Sequence, residues 1–120
     1  AVLADVPRWA DLAAREAFGP VATVIRVRDL DDAIGAANDT PYGLSSAVVT
    51  RDLERAVRAV KGIRAGTVNV GEVPGYRLES SPFGGVKDSG WGRFGVGFAA
   101  EEFSELQWVT ARAEPRHFPF

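Results

Sequence analysis

A glycine-rich hexapeptide, Gly90–Gly95 (GWGRFG), has the G-x-G-x-x-G spacing with which many proteins bind the pyrophosphate of a dinucleotide. That chemistry needs a buried strand before the glycines, so that the N-terminus of the following helix meets the phosphates. Residues 83–89 (FGGVKDS) lack the pattern of such a strand. The acidic residue expected about 20 positions later is Glu114, on a proline-flanked tail. A small nucleotide-binding domain built on this hexapeptide is therefore the least favoured interpretation.

Other spacings that carry chemistry are incomplete. Gly85–Gly90 has the glycine spacing of a P-loop, but Trp91 and Gly92 replace the Lys-Ser/Thr pair that holds phosphate and metal. The chain contains no G-x-S-x-G, and its single histidine, His117, lies in the tail. Zero cysteines exclude a thiol nucleophile and thiolate metal ligands within these residues. The glutamates at 101, 102 and 105 are typical of a solvated helix face. We expect no catalytic residue and no metal site in this chain.

The composition excludes several kinds of partner. Among 120 residues, 14 are basic and 16 acidic, so no basic surface for nucleic acid or anionic lipid is expected. The apolar stretches are shorter than the ~20 residues of a membrane span, and the first residues lack the pattern of a signal peptide. We expect a cytoplasmic protein with no nucleic-acid or membrane partner. Because the chain begins at Ala1 and contains no methionine, we expect a processed chain or a segment of a longer one.

Strand and helix patterns alternate through the middle of the chain. Residues 21–27 (VATVIRV) are typical of a buried strand, and Asp29 then stands as the N-cap of a helix with an apolar stripe. Residues 44–50 (LSSAVVT) and Asp52 repeat this order, and residues 67–70 (TVNV) add a third strand. A β-α-β-α-β order with short connections predicts an α/β fold with a parallel sheet. A chain of this length can bury roughly two thirds of its unfolded surface.

The final third of the chain has a different character. Ten of the 13 glycines lie between Gly62 and Gly97, together with several aromatic residues, which predicts an ordered functional loop rather than a linker. A short helix is expected over about residues 97–104, and a strand over residues 106–113 (LQWVTARA). A terminal strand of this kind either edges its own sheet or pairs with another chain.

Five ordered segments together resemble the NAD(P)-dependent aldehyde dehydrogenase superfamily. In chain order they are residues 15–20 (REAFGP), 38–44 (NDTPYGL), 50–53 (TRDL), 65–69 (AGTVN) and 81–93 (SPFGGVKDSGWGR). Their order and spacing are similar to the C-terminal part of that family. The resemblance implies that residues 1–104 are part of the catalytic domain, and that residues 105–120 form an oligomerisation strand and tail.

The resemblance assigns cofactor contacts to the first of these segments. In the family, the glutamate at the position of Glu16 accepts hydrogen bonds from the hydroxyls of the nicotinamide ribose, and the phenylalanine at Phe18 packs beside the nicotinamide. A carboxylate suits two hydroxyl donors, and an apolar ring orients a hydride acceptor. Without the family, Glu16 would be interpreted as a surface residue and Phe18 as a core residue. The implied cofactor is NAD or NADP.

The same resemblance places Phe83 at the aldehyde-binding tunnel. Residues 71–81 (GEVPGYRLESS) resemble most the branch acting on lactaldehyde, glyceraldehyde phosphate or phosphonoacetaldehyde. Arg77 is the candidate ligand for an anionic substrate group, because a guanidinium matches phosphate and carboxylate geometry. The alternative is an exposed arginine or one paired with Glu79. One departure from the family pattern is Gly71, where many members carry asparagine.

The reaction that the resemblance implies is oxidation of an aldehyde to a carboxylic acid, or to an acyl-thioester in some branches. A cysteine thiolate attacks the aldehyde, hydride passes to NAD(P), and a glutamate activates water. In the family these groups lie upstream of the five segments. We therefore expect this chain to work with the remainder of the same enzyme, in a homo-oligomer, and to be inactive alone. The alternative is a catalytically silent binding or assembly module that retains this part of the fold.

Overall fold

The computed structural model describes residues 1–119 as an alternation of short strands and helices. The strands are β1 Val2–Leu3, β2 Ala22–Thr23, β3 Ser45–Val48 and β4 Thr67–Val70. The helices are α1 Asp11–Ala14, α2 Leu30–Asn38, α3 Leu53–Gly62 and α4 Val96–Glu102, with a 3₁₀ turn at Lys87–Ser89. Both pairs of strands are parallel, so the predicted α/β class is confirmed. The sequence pattern did not predict β1 or α1.

The strands form two separate parallel pairs rather than one continuous sheet. β3 pairs with β4 over its full length, with Ser45 opposite Thr67. β2 pairs instead with β1, where Val2 lies opposite Ala22. The strand expected over residues 21–27 is therefore only two residues long. A segment becomes a strand only where a neighbouring strand hydrogen-bonds to it. The partner of β2 is β1, which is only two residues long.

The two central helices begin at the predicted caps. The Asp29 carboxylate accepts a hydrogen bond from the backbone N–H of Asp32 at 2.9 Å, and the Asp52 carboxylate accepts one from Arg55 at 3.1 Å. Each bond satisfies a donor that the first turn of a helix leaves unpaired. The cap positions set where α2 and α3 start, directly before the apolar stripes that the sequence predicts.

Asn38 joins the ends of these two helices. Its side-chain amide donates to the carbonyl of Gly62 at 2.8 Å, and its side-chain oxygen accepts from the backbone N–H of Arg64 at 2.7 Å. A Cβ added to Gly62 would meet the Ile34 side chain at 2.9 Å, so α3 ends in close contact with α2. The amide thus satisfies backbone groups at the exit of α3 and fixes the chain leading to β4.

The glycine-rich segment (residues 82–95) is ordered, as predicted for this part of the chain. Phe83 and Phe94 exchange two backbone hydrogen bonds, with N···O distances of 3.0 and 2.6 Å, in an isolated antiparallel bridge. Gly84 and Gly85 between them are buried, and a Cβ on Gly85 would meet the Ser89 carbonyl oxygen at 2.5 Å. These two glycines therefore allow backbone to pack on backbone.

The strand predicted over residues 106–113 is not formed within residues 1–119. α4 occupies nearly the predicted position, but residues 106–113 form neither helix nor strand. The Leu106 and Trp108 side chains are exposed. A strand exists only as one member of a hydrogen-bonded pair, and the described chain offers this segment no such pair. Phe120, the last residue of the predicted tail, lies outside the described residues.

The chain buries little of its surface. Among residues 1–119, the buried hydrophobic side chains are those of Ala56 and Ala59. The accessible surface is 10031 Å², whereas a folded monomer of this mass has ~6,300 Å². The radius of gyration is 21.9 Å, against ~14 Å for a compact domain of this length. The large core that the length allows is therefore not formed by this chain alone.

Two kinds of feature are absent from the part of the chain that the structure describes. No helix in it is long and apolar enough to cross a bilayer. The longest described helix, α3, has 10 residues, about half of what a membrane span requires. In the same residues, no three His, Cys, Asp or Glu side chains are grouped so that they could hold a metal ion.

Small-angle X-ray scattering of the isolated monomeric chain tests the open arrangement. We expect a radius of gyration near 21.9 Å, because few apolar contacts draw the segments together. A compact domain of this length would give ~14 Å and an unfolded chain ~35 Å. A monomer near either of those values would contradict the structure.

Candidate functional site

A cavity of about 200 Å³, the β4 cavity, lies against one face of β4 beneath the loop that follows this strand. Thr67 and Asn69 line it from the strand, because alternate residues of a strand share a face. Tyr76, Arg77 and Phe83 line it from the loop side. The structure thus brings together Arg77 and Phe83, the two residues predicted to bind substrate.

Arg77 and Phe83 are in direct contact. The guanidinium carbon of Arg77 lies 4.7 Å from the centroid of the Phe83 ring, within the range of a cation–π interaction. Arg77 is exposed, which was one alternative expectation, whereas the ion pairs within residues 1–119 do not include one between Arg77 and Glu79, which was the other. The wall of the cavity therefore combines an aromatic face with a permanent positive charge. Such a wall suits an organic molecule that carries an anionic group.

Asn69 is a residue of this site that sequence reasoning missed. Its Nδ2 atom donates to the carbonyl oxygens of Val73, Pro74 and Tyr76 at 2.9, 3.4 and 3.2 Å. The same loop contains a turn in which the Tyr76 N–H donates to the Val73 carbonyl at 3.1 Å. The available signal was one amide side chain in the strand TVNV, directly before a loop containing proline and glycine.

The residues predicted to contact the cofactor, Glu16 and Phe18, follow α1. Glu16 lines a second, open depression of about 360 Å³ together with Thr40, Tyr42 and Ser89. The carboxylate and hydroxyl groups of this depression can accept and donate hydrogen bonds, which fits the ribose of a nucleotide. Phe18 is 95% exposed and is not among the residues that line the depression. Glu16 is thus placed in a different cavity from Arg77 and Phe83.

Three segments of backbone cross at Gly43, and hydrogen bonds there hold one lining residue of each cavity. The Gly43 carbonyl accepts hydrogen bonds from the N–H groups of Gly66 and Val86, both at 3.0 Å, and the Gly43 N–H donates to Ser89 Oγ at 2.9 Å. Gly43 is buried, and a Cβ there would meet the Val86 side chain at 2.7 Å. Gly66 lines the β4 cavity and Ser89 lines the Glu16 depression. Gly43 therefore holds Gly66 in the β4 cavity and Ser89 in the Glu16 depression.

Lys87 anchors the glycine-rich segment on the end of α2. Its ammonium donates to the carbonyl oxygens of Asn38 and Thr40 at 3.0 and 3.1 Å. Carbonyls at a helix C-terminus lack helical partners, and a cation is favoured there by the helix dipole. The Lys87 backbone has φ +54°, in the left-handed region that non-glycine residues avoid. The ammonium contacts and a bond from the Asp88 N–H to the Pro41 carbonyl at 3.0 Å hold this turn.

The hexapeptide Gly90–Gly95 does not have the surroundings of a dinucleotide fingerprint. It follows a 3₁₀ turn rather than a strand, and the helix after it, α4, has seven residues. Arg93 within it donates from Nη1 to the carbonyls of Gly85 and Gly92 at 2.9 and 2.7 Å. The Arg93 N–H also donates to Glu102 at 3.2 Å. These contacts stabilise the glycine-rich segment itself, which supports the interpretation that this hexapeptide is structural.

Asp32 fastens the N-terminal part of the chain to α2. Its carboxylate accepts hydrogen bonds from the Arg28 N–H at 3.0 Å, from Arg8 at 2.8 Å and from the Arg28 side chain at 3.3 Å. The backbone bond from Arg28, followed by the side-chain bonds from Arg8 and Arg28, holds the pKa of Asp32 well below its ordinary value. The carboxylate is therefore ionised at neutral pH, where all three bonds are available to it.

Known proteins with similar sequences and structures are aldehyde dehydrogenases. The sequence model of the Aldehyde dehydrogenase family matches residues 1–109. Benzaldehyde dehydrogenase YfmT of Bacillus subtilis is 39% identical over 99% of this chain and 24% of its own length. Lactaldehyde dehydrogenase of Methanococcus aeolicus is 40% identical over 86% of this chain and 22% of its own. The crystal structure of a salicylaldehyde dehydrogenase from Pseudomonas putida, complexed with salicylaldehyde, has a TM-score of 0.91 and 37% identity, over 99% of this chain and 25% of that one.

The chain belongs to the aldehyde dehydrogenase family. The family match covers nearly all of the described residues, including both cavities. The chain spans about a quarter of the length of the curated relatives that it matches. The similarity therefore concerns one segment of those enzymes.

Replacing Asp32 with asparagine tests the contact at the start of α2. At neutral pH we expect faster hydrogen exchange at the Arg28 amide in Asp32→Asn, because the variant loses the charged acceptor. Since folding lowers the pKa of Asp32, the ionised carboxylate stabilises the fold above its unfolded value of 3.8, and this contribution is lost as the pH falls below it. The difference between wild type and variant should begin to shrink below about pH 4 and disappear only as the pH falls through the lower folded-state pKa.

The matched control is Asp31→Asn, on the same helical turn. The Asp31 carboxylate pairs with the Arg58 side chain at 2.6 Å, so this variant should leave exchange at Arg28 unchanged. Equal exchange at Arg28 in wild type and Asp32→Asn at neutral pH would contradict the assigned contact. Exchange is measured by NMR on the same protein across the pH series.

Proposed function

We propose that this chain is part of the catalytic domain of an NAD(P)-dependent aldehyde dehydrogenase that oxidises an aldehyde to a carboxylic acid. The observation that carries this proposal is the β4 cavity, in which an aromatic ring and a guanidinium form one wall, in a chain that belongs to this family. Within the 120 residues there is no cysteine, so the nucleophile of the proposed reaction lies outside this chain.

In the proposed enzyme, Phe83 and Arg77 bind the substrate. The ring of Phe83 gives an apolar surface for the carbon chain or ring of the aldehyde, which excludes water from that side. The guanidinium of Arg77 carries a permanent charge at the same wall and would orient an anionic or polar group of the substrate. These residues hold the aldehyde in place, and the reacting groups of the enzyme reach it from elsewhere in the protein.

Glu16 and Phe18 are the proposed contacts for the cofactor. The Glu16 carboxylate in its open depression can accept hydrogen bonds from ribose hydroxyls. The exposed ring of Phe18 offers an apolar face beside which a nicotinamide can pack. NAD(P) supplies the hydride acceptor for aldehyde oxidation. The neighbouring hydroxyls of Thr40 and Ser89 add polar groups of the kind a ribose requires.

The last part of the chain is the proposed assembly segment. Residues 106–113 are exposed and form neither helix nor strand, and Leu106, Trp108 and Val109 among them present apolar side chains to solvent. A segment without a strand partner and with exposed apolar residues suits addition to a strand of another subunit. We therefore divide the chain into residues 1–104, within the catalytic domain, and 105–120, an oligomerisation strand and tail of a cytoplasmic homo-oligomer.

Spectrophotometric detection of NADH or NADPH with a panel of aldehydes tests the proposed activity. The full-length protein that contains this chain should reduce the cofactor in an aldehyde-dependent way, whereas residues 1–120 alone should show no turnover because they lack the nucleophile. Turnover by the purified chain would overturn the proposal that the nucleophile lies outside it. A full-length protein without turnover on any aldehyde would instead favour the silent assembly module.

The proposed substrate class is a small aldehyde carrying an anionic group, as glyceraldehyde phosphate and phosphonoacetaldehyde do in the branch that residues 71–81 resemble. Arg77 carries the positive charge in the wall of the β4 cavity, so its removal should affect anionic and neutral aldehydes differently. In the full-length enzyme, Arg77→Ala should raise KM for anionic aldehydes by about tenfold, because a charged hydrogen bond is lost. KM for neutral aldehydes should change little.

The matched control is Arg26→Ala, which removes the same charge from an exposed pair with Asp5 and should leave both KM values unchanged. Equal increases in KM for neutral and anionic aldehydes in Arg77→Ala would contradict an anion-binding role. The measurement is steady-state kinetics with a neutral aldehyde and an anionic aldehyde of similar size.

A further inference from the structure

The loop over residues 71–81 has few contacts of its own that could fix its shape. Every residue from 71 to 80 is exposed. Within the loop, the Tyr76 N–H donates to the Val73 carbonyl at 3.1 Å and the Ser81 N–H to the Leu78 carbonyl at 3.0 Å, and the Val73 N–H donates to the neighbouring Glu72 carboxylate at 2.9 Å. Yet this loop carries Arg77, whose position over Phe83 defines one wall of the β4 cavity. Contacts from outside the loop therefore decide how far its first half, which leads to Arg77, is restricted.

Asn69 supplies that restriction from a fixed position. It lies within β4 and is paired in register with Ala47 of β3, so its backbone is held by the sheet. Its Nδ2 atom lies within 3.4 Å of three loop carbonyls, those of Val73, Pro74 and Tyr76. One side-chain nitrogen thus binds both ends of the turn. The last of these carbonyls belongs to the residue directly before Arg77.

We propose that Asn69 is a positioning residue for aldehyde binding, which holds the loop so that Arg77 stays over Phe83. This inference rests on the proposed function. Asn69 acts through the loop carbonyls, so its loss should weaken binding of the aldehyde without removing a reacting group. Glu16 lies in a different depression, so binding of the cofactor should not depend on Asn69.

Two substitutions in the full-length enzyme separate positioning from packing. Asn69→Ala removes the donor and leaves space, whereas Asn69→Asp keeps the volume but places acceptors opposite three carbonyl oxygens. We expect both variants to raise KM for an aldehyde by about tenfold, with Asn69→Asp at least as impaired because its carboxylate repels the carbonyls. KM for NAD(P) should stay within about twofold in both variants. A role in packing alone would leave Asn69→Asp close to wild type.

Hydrogen exchange over residues 71–81 gives a readout that does not depend on activity. Both variants should exchange faster there than wild type, because the loop loses the contacts that restrict it. The control is Val70→Ala, the adjacent residue, which is not among those lining the β4 cavity. It should change neither loop exchange nor KM for the aldehyde.

The outcomes distinguish the inference from the proposed function. Faster loop exchange together with a raised KM for the aldehyde supports the inference. Unchanged exchange, or faster exchange with an unchanged KM in an active enzyme, overturns it. A wild-type enzyme that oxidises no aldehyde overturns the proposed function and, with it, a role of Asn69 in aldehyde binding, whereas the exchange data still decide whether Asn69 holds the loop.

Discussion

The close approach of three backbone segments at Gly43 is the constraint on which the remaining structure depends. There the chain before β3 hydrogen-bonds to the residue before β4 and to the glycine-rich segment. Nearby, a Cβ on Gly66 would collide with the Gly84 carbonyl, so a second pair of glycines maintains the same close spacing. Because backbone meets backbone without intervening side chains, the segments have little freedom to shift. Strand, loop and helix end are fixed relative to one another by peptide hydrogen bonds.

This constraint explains how a chain with so little buried surface can still present ordered cavities. The backbone crossing at Gly43 is rigid, and each cavity takes a lining residue from the segments that meet there. The side chains that give each cavity its chemistry, Arg77 and Glu16, are instead carried on exposed segments. In the proposed enzyme, the backbone would supply the geometry and the exposed side chains would supply the recognition of substrate and cofactor.

The sequence predicts a structural element well when the residues that determine the element lie close together in the chain. Helices α2 and α3 are predictable because their caps, Asp29 and Asp52, act within one turn of the residues they satisfy. The strand expected over residues 106–113 fails because its formation requires a partner that the pattern does not reveal. Phe83 lies in a family motif and Arg77 in a loop that resembles one branch of the family, whereas the role of Asn69 is missed because residue types do not show that its acceptors are backbone carbonyls.

The exposed apolar surface has a consequence for how such an enzyme would be made. With Ala56 and Ala59 as its buried hydrophobic residues among those described, this segment has only a small apolar core of its own. In the proposed enzyme, its contacts with the rest of the polypeptide would close over long sequence separations, which slows folding. Until then, side chains such as Trp91 and Trp108 would remain available to other unfolded chains. Folding of the proposed enzyme would thus compete with contacts between unfolded chains.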